Sequence, residues 1–431
     1  MRAFLKERPS IGLSLFRPAL AWTVGAHVIP SLFQLSDNYL HSGFKLKNGS
    51  FFPLSILGFV EASPDWVVRL VAILFIFSTV AFGLGYKTRL SCALMTLGCY
   101  YFYALNSLHI GTLSYDILLV TLTLVCLFNY TGDAFSLDQF RRGDVAGFWR
   151  LRPFFVQRLL QVQLTGIFWG TALAKFTVGG NWLTDNPYYA LMHYPQQGVV
   201  RDFPLRSFLA TQPDLCHSLG LCLIVFEFLV SLSWWFGRTR WLGIALGTAF
   251  QIMLWLTLHV PTIFLFLFPA MMLFFVPPEE WLAWIEQRRS YQASRGRAVL
   301  LYDGHCGFCK ESVKRLQVLD LFGYIDLRDY HTVANLAAIH PSLSLARLES
   351  EMVLVEPDGR VSGGFDAFRR LCLRLAFLAP LAPFVHLPGA KAIGGRAYRW
   401  VATHRYLFLP RANHCAVGGS GGAAGSSSTK T

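Results

Sequence analysis

The stretch VVRLVAILFIFSTVAFGLG, residues 67–85, holds a single charged residue and is long enough to cross a bilayer as a helix. Stretches of similar character recur through the first two thirds of the chain. The sequence therefore predicts an α-helical polytopic membrane bundle with about eight transmembrane helices. The approximate cores of these predicted spans are 13–33, 67–85, 90–106, 113–129, 159–176, 215–236, 241–258 and 260–276.

The composition agrees with a membrane protein. Of 431 residues, 54% are hydrophobic and 15% are charged, whereas about 25% are charged in an average soluble protein. A wholly soluble enzyme, a disordered chain and a small disulfide scaffold are therefore excluded. The net charge of +13 is typical of proteins that bind nucleic acid or an anionic membrane surface. Because the chain is so apolar, we expect membrane lipid as its partner and no nucleic acid.

Basic residues predict which loops lie in the cytoplasm, since short cytoplasmic loops collect Lys and Arg. Such residues occur at every second junction between the predicted spans. Both termini are therefore predicted to be cytoplasmic, in an integral membrane protein that we assign to a bacterial inner membrane. The basic junctions lie near residues 2–8, 87–89, 141–152, 238–240 and 288–289.

A second domain begins after two prolines at 277 and 278. A charged helix and linker are predicted first, then a short strand at 298–302, a helix at 311–321 and a strand at 352–356 that ends at a Pro-Asp-Gly-Arg turn. This order indicates a small α/β domain. The predicted organisation is a membrane domain at 1–287, a linker at 288–297, an α/β domain at 298–415 and a disordered Gly/Ser-rich tail at 416–431.

The segment YDGHCGFCK, residues 302–310, lies where the predicted strand gives way to the predicted helix. Two cysteines three residues apart at a helix start lie on one face and can form a disulfide. The first thiol meets the unpaired amides of the helix start, which favour its thiolate, the species that attacks disulfides. Cys306 is therefore predicted to attack and Cys309 to resolve. Asp303 and Gly304 of the same segment are predicted to support them.

Two other interpretations of the cysteine pair stay open. The pair can be half of a zinc site, completed by Cys372, Cys415 or a scattered histidine, or it can have arisen by chance. Zinc needs four ligands, and no second close cysteine pair exists in the sequence. We therefore predict no metal.

Four segments together resemble the DCC-type thiol-disulfide oxidoreductase family, over residues 299–415. The resemblance implies a thioredoxin-like fold with redox-active Cys306 and Cys309, and it supplies no substrate. The matching segments are YDGHCGFC (302–309), VLVEPDGRV (353–361), GGFDAFRRL (363–371) and AYRWVATHRYLF (397–408).

Residues 366–411 carry eight basic residues and one acidic residue, interleaved with Phe, Leu, Trp and Tyr. Anionic lipid attracts a segment of this kind. We expect a patch that faces the membrane, and the alternative is an ordinary solvated helix face.

Ionisable residues inside apolar spans are costly to bury, so each is a candidate functional residue. Asp116 lies in the fourth predicted span, Lys175 at the end of the fifth, Glu227 in the sixth and His259 at the turn between the last two. For Lys175 the alternative is an ammonium that reaches to the membrane surface.

The membrane region resembles the horizontally transferred transmembrane domain, whose fold is shared with vitamin K-dependent γ-carboxylases. The resemblance covers about residues 14–276. It implies that Lys175 matches the lysine base of hydroquinone oxygenation, with a quinone or hydroquinone as cofactor. The family's Asn-His pair aligns either with Asn106 and His109 or with Ser114 and Tyr115, and Gln251 stands where many relatives have His. The matching segments are SLDQF (136–140), RLLQVQLTGIFWGTALAKFTVGGNWL (158–183), Glu227 and RTR (238–240).

Three hypotheses of function follow. The first is a membrane thiol-disulfide oxidoreductase whose cytosolic dithiol exchanges electrons with a partner protein or peptide, with a quinone as membrane carrier. The second is a carboxylase-like, hydroquinone-dependent modification of a peptide, and the third is a non-catalytic membrane scaffold. The dithiol is predicted on the cytoplasmic side of the membrane and Lys175 near the opposite side. The bilayer core of about 30 Å lies between them, so direct contact is not expected.

Overall fold

A computed structural model describes residues 6–40, 60, 63–105, 112–177, 181–193 and 200–408. The chain divides into two compact units, Met1–Gln287 and Arg288–Thr431.

The first unit is built almost entirely of helices. Two short strands, β1 (Glu7–Pro9) and β2 (Leu151–Pro153), pair antiparallel. The helices are α1 (Ile11–Leu32), α2 (Leu35–Asn38), α3 (Asp65–Leu84), α4 (Thr88–Leu105), α5 (Thr112–Leu127), α6 (Leu137–Arg142), α7 (Phe155–Ala174), α8 (Pro187–His193), α9 (Arg206–Leu209), α10 (Pro213–Ser233), α11 (Arg240–Thr257), α12 (Thr262–Met272) and α13 (Pro278–Ser294).

The two long apolar helices α3 and α10 have clear boundary signals. Asp65 lies in the first turn of α3, where a carboxylate is favoured by the helix dipole. Gly85 ends this helix with a φ of 74°, a left-handed conformation that glycine adopts without strain. Helix α10 begins with Pro213, whose missing N–H is no loss at a first helical position.

Each predicted span coincides with a helix, but the number of predicted spans is too high. Among the described residues, α3 and α10 are long and apolar enough to cross a membrane. A third candidate exists if residues Ile263–Phe275 and Pro278–Ser294, which are bent by 84°, form one broken span. The other helices are too short or too polar by this measure. Helix α5, for example, has 16 residues.

Polar side chains in the remaining helices point into the protein. Gln157 and Gln161 of α7 are buried and donate to the carbonyl of Phe274 at 2.8 and 2.7 Å. Arg17 of α1 is 1% exposed and donates to carbonyls of Thr131 and Ala134. These groups lower the hydropathy of their helices, yet their hydrogen bonds are satisfied inside the unit, as buried polar groups require.

One apolar core holds the first unit together. Leu20, Phe82, Phe102 and Leu160 contribute to it from α1, α3, α4 and α7, and all are fully buried. The outer face of α3 is also apolar, with Phe77 exposed by 71%. An exposed apolar face of this kind suits lipid better than water. The first unit is therefore a helical membrane domain.

The second unit contains a four-stranded sheet in the order β4-β3-β5-β6. Strand β3 runs parallel to β4 and antiparallel to β5, and β5 and β6 form a hairpin. The strands are β3 (Ala298–Tyr302), β4 (Ile325–Asp329), β5 (Val353–Val355) and β6 (Val361–Gly363). The helices are α14 (Gly307–Leu319), α15 (Leu345–Ser350), α16 (Gly364–Arg374), α17 (Ala382–Val385) and α18 (Ala390–Phe408).

Both faces of this sheet are buried. Alternate residues of β3 point to opposite faces, so Leu300 joins one apolar cluster and Leu301 another. The predicted small α/β region is confirmed, and the strand predicted at 298–302 is β3 itself. Helix α14 begins at Gly307, four residues before the predicted helix. The thioredoxin-like assignment stays a prediction that the strand order supports. The predicted tail lies outside the described residues.

Candidate functional site

Cys306 and Cys309 of the second unit form the centre of a candidate dithiol site. Strand β3 ends at Tyr302, and Cys306 is the residue that caps α14. The amide of Cys309 donates to the sulfur of Cys306, with 3.3 Å between N and Sγ. A sulfur that accepts an amide hydrogen at a helix start is stabilised as a thiolate. The predicted placement of both thiols on the first turn of one helix is confirmed by this geometry.

The two thiols differ in exposure. Cys306 is fully buried, whereas Cys309 is only partly buried. Burial raises the pKa of Cys309 to about 12, and the hydrogen bond and charge of Cys306 act in the same direction. Cys309 is therefore accessible but protonated at neutral pH. The predicted order of attack stays a prediction, and it requires Cys306 to become accessible to a partner.

Asp303 belongs to the loop that leads to the dithiol, and its polar contacts include His305, His331 and Arg405. It is 6% exposed, and its Oδ1 accepts from the amide of His305 at 2.9 Å and lies 3.1 Å from Nε2 of His331. A guanidinium nitrogen of Arg405 lies 3.5 Å from Oδ2. Burial alone would raise the pKa of Asp303, but these hydrogen bonds and the positive charge lower it below its usual range. Asp303 is therefore a carboxylate at neutral pH.

Gly304 has a steric reason to be glycine. A Cβ at this position would lie 1.9 Å from Oδ2 of Asp329, the last residue of β4. The amide of Gly304 donates to Oδ1 of the same carboxylate at 3.0 Å. Asp329 thus holds the loop between β3 and α14 against β4, and this loop carries Asp303 and Cys306.

A zinc site on the cysteine pair finds no support among the described residues. The group able to hold a metal there is Asp303, His305 and His331, whose ligand atoms lie within 4.8 Å of one another. The imidazole rings of the two histidines are stacked at 3.8 Å. The guanidinium of Arg405 already faces the Asp303 carboxylate, so a cation there would meet a positive charge. Cys372 is buried in α16, and Cys415 lies outside the described residues.

The first unit has a second candidate site, formed by a buried ion pair. Lys175 follows the last residue of α7, and its Nζ lies 2.6 Å from Oε2 of Glu227 in α10. The side chains are 14% and 6% exposed. The carbonyl of Thr171 accepts from Nζ at 3.3 Å, and the ring of Trp182 lies 5.6 Å from the ammonium. The structure therefore joins two residues that the sequence predicted separately.

The other predicted residues of this unit lie elsewhere. Asp116 of α5 accepts from the hydroxyl of Tyr103 at 3.0 Å. His259 is exposed in the segment after α11. Gln251 is buried in α11. Among the described residues, none of these three contacts the Lys175–Glu227 pair. Asn106 and His109 lie outside the described residues.

Sequence reasoning missed the partners of the dithiol. Asp329 approaches the site from the end of β4, His331 from the turn that follows and Arg405 from α18. They lie 25 to 102 positions along the chain from their contacts at Asp303 and Gly304. Only the position of Asp329 and His331 at the end of a strand offered a signal.

Two family models match the chain. A model described as the HTTM domain matches residues 13–281, which is more than half of the chain. A model described as DCC1-like thiol-disulfide oxidoreductase matches residues 300–411. Both family resemblances seen in the sequence are confirmed, with the HTTM domain first along the chain and the thiol-disulfide oxidoreductase domain second. No match was found among curated proteins or among solved structures.

Proposed function

The chain belongs to the HTTM domain family, and we propose that it is a membrane thiol-disulfide oxidoreductase whose dithiol is Cys306 and Cys309. The match of residues 300–411 to a thiol-disulfide oxidoreductase model supports this reaction class. The observation that carries the proposal is the 3.3 Å contact between the Cys309 amide and the Cys306 sulfur at the start of α14.

The reaction is a two-electron exchange between dithiol and disulfide. The Cys306 thiolate attacks one sulfur of the partner disulfide, forms a mixed disulfide and releases a partner thiolate. Cys309 then loses its proton and attacks the Cys306 sulfur, which closes the 306–309 disulfide and releases the second partner thiolate. Counted from the protonated dithiol, the proton of Cys306 leaves before the attack and that of Cys309 leaves in the second step, and each partner thiolate takes up one proton. A second dithiol, acting in the reverse direction, returns the site to its reduced form.

Asp303, His331 and Arg405 form a polar group next to the dithiol. The imidazole of His331 lies 3.1 Å from the Asp303 carboxylate, and a guanidinium nitrogen of Arg405 lies 3.5 Å from it. The negative charge of Asp303 contributes to the raised pKa of Cys309. Because the pKa of Asp303 itself is lowered, this carboxylate is a weak base at neutral pH. We therefore assign Asp303, His331 and Arg405 positioning roles.

We propose that this reaction takes place on the cytoplasmic side of a bacterial inner membrane, since Arg288 and Arg289 begin the second unit and basic residues collect on that side. The partner is a protein or peptide that carries a disulfide or a dithiol.

The test is disulfide exchange by the full chain in detergent. Cys306→Ser should abolish insulin reduction and the trapping of mixed disulfides. Cys222→Ser is a matched control, since it removes an exposed thiol of the first unit, and it should leave both activities unchanged. Unchanged exchange by Cys306→Ser would overturn the proposal.

A second candidate function rests on the Lys175–Glu227 pair. In a buried setting the pair offers an ammonium that can donate to a quinone carbonyl and a carboxylate that can accept from a hydroquinone hydroxyl. Such a cofactor supplies two-electron, two-proton chemistry when bound. A lysine that acts as a base must first be neutral, so here it must pass its proton to Glu227.

This second candidate function predicts a modified peptide. With hydroquinone supplied, mass spectrometry should detect the modification with the wild-type chain and with Lys314→Ala, an exposed lysine of α14, but not with Lys175→Ala. Equal modification by both variants would refute the role of Lys175.

Lipid is a further proposed partner of the second unit. Phe384, Leu387, Ile393 and Trp400 are each more than half exposed, and basic residues are interleaved with them. Lipid contact should slow tryptic cleavage after Arg399 in vesicles of phosphatidylglycerol relative to vesicles of phosphatidylcholine. Equal cleavage rates would contradict it.

A further inference from the structure

The first unit contains a polar cavity of about 500 Å³ between the start of α4, the end of α5 and the strand β2. Its volume lies in the range of roughly 300–1,000 Å³ that is usual for small-molecule sites. Five basic residues line it, against two acidic ones. The basic residues are Lys87, Arg89, Arg142, Arg150 and Arg152.

The two carboxylates of the cavity are already engaged. Asp133 accepts from Arg152 at 2.8 Å and from Arg150 at 3.3 Å. Asp138 accepts from the amides of Lys87 and Thr88 at 2.9 and 3.0 Å, so it caps the start of α4. The backbone amides of Lys87 and Thr88 are therefore not available to bind an anion.

Among the described residues, three cations of the cavity have no carboxylate partner. Lys87, Arg89 and Arg142 make no salt bridge there, and all three are exposed. The nearest polar contact of the Arg142 guanidinium is the carbonyl of Gly132 at 3.5 Å. The seven charged residues of the lining leave a net charge of +3, from five positive and two negative groups. An anion bound in the cavity would neutralise part of this positive charge.

We propose that this cavity binds a phosphate group. Two arginine forks and one ammonium suit the several oxygens of a phosphate better than a single carboxylate. Leu90 lines the cavity and is 54% exposed, and Leu94 and Leu97 continue its face of α4 with 39% and 65% exposure. This apolar stripe gives a place for acyl chains, so the phosphate of an anionic lipid fits the whole surface.

The same phosphate chemistry can come from a soluble ion, and the experiment separates the two sources. The full chain is purified in detergent. Native mass spectrometry measures retention of phosphatidylglycerol and, as a neutral control, phosphatidylcholine. Isothermal titration with pyrophosphate measures binding of a soluble anion.

The variant Arg89→Gln/Arg142→Gln removes two cations that hold no carboxylate, so it should fold. Arg141→Gln is the matched control, because Arg141 neighbours Arg142 but stacks on Tyr86 and does not line the cavity. We expect at least a tenfold loss of affinity for the phosphate probe in the double variant and less than a twofold loss in the control.

Phosphatidylglycerol retention that depends on Arg89 and Arg142 would support a lipid site. Pyrophosphate binding with the same dependence, without lipid retention, would support a soluble phosphate. Binding of neither probe, or equal losses in the double variant and in Arg141→Gln, would overturn the proposal. Equal thermal unfolding of the two variants shows that neither loss is due to misfolding.

Discussion

The accessible thiol of the dithiol site should be the slower one to react. Cys309 is only partly buried, and exposure alone favours it as the attacking group. The pKa of Cys309, raised to about 12, disfavours it as the attacking group, because the thiolate is the reactive species and little of it is present at neutral pH. The variant Cys306→Ser isolates Cys309, and the two effects can then be compared.

Two opposing effects determine how fast Cys309 reacts: the fraction of the thiol that is ionised, and the nucleophilicity of the thiolate. At pH 7 the thiolate fraction of an ordinary cysteine with a pKa of about 8.5 is roughly 3%. For a thiol with a pKa of about 12 it is roughly 0.001%, about 3.5 decades lower. A more basic thiolate is a better nucleophile, with a Brønsted slope of about 0.4–0.5, and this recovers about 1.5 decades. The net expectation is a reaction roughly a hundredfold slower than that of an ordinary thiol.

The assay is exchange with a small disulfide, 4,4′-dithiodipyridine, followed by mass spectrometry of the peptide that contains Cys309. The control is the same variant in guanidinium chloride, where burial is lost. Burial is the largest cause of the raised pKa and remains in the variant, whereas the hydrogen bond and charge of Cys306 are removed. The native rate should therefore be more than tenfold and at most about a hundredfold lower, and it should rise tenfold per pH unit from pH 7 to 9.

A native rate within tenfold of the denatured rate, or a plateau below pH 9, would refute this reasoning. Exposure would then decide the order of attack, and Cys309 would be the first nucleophile. The slow reaction, in contrast, supports Cys306 as the attacking thiol and implies that the site opens before it meets a partner.

Three further predictions concern residues around the two sites. Gly304→Ala should destabilise the second unit by about 1–3 kcal/mol, since the new carbon would overlap Asp329; an unchanged calorimetric transition would contradict this. Asp303→Asn should cost about 1–3 kcal/mol at pH 7. Because the pKa of Asp303 is lowered by folding, this cost is present above about pH 4 and shrinks as the pH falls through the lowered value; urea unfolding that shows the same cost at pH 7 and pH 3 would be evidence against it. Lys175→Met or Glu227→Leu alone should destabilise the first unit by about 3–5 kcal/mol, and the double variant by less, because each single change leaves a buried charge unpaired; additive losses in detergent thermal unfolding would disprove that.

Local sequence patterns predicted those parts of the dithiol site that depend only on residues close together in the chain, namely β3 and the helix after it. Strand β3 was predicted at its observed bounds because five consecutive apolar or aromatic residues form a strand buried on both faces. The start of α14 was predicted too late because Gly307 and Phe308 carry no helical periodicity. The cap that starts this helix is the sulfur of Cys306, a residue that is not among the usual capping types.

Long-range partners had no such signal. His331 and Arg405 reach Asp303 from 28 and 102 residues away. Lys175 and Glu227 were each singled out as a costly charge, but 52 residues separate them and no periodicity connects them. A buried charge predicts that a partner exists, and only the packing of the helices shows which residue it is.

The number of predicted spans was too high because hydropathy alone does not tell a helix that faces lipid from one that faces the interior of a bundle. A long apolar run predicts a helix in both environments. Hydropathy does not separate these two environments, and the polar residues of α7 show why. Gln157 and Gln161 lower the hydropathy of that helix, although both are buried and bonded to one carbonyl. Substituting both by leucine would make α7 look more like a span while leaving the Phe274 carbonyl without these partners. The variant should therefore gain hydropathy and lose stability, as unpaired buried polar groups do.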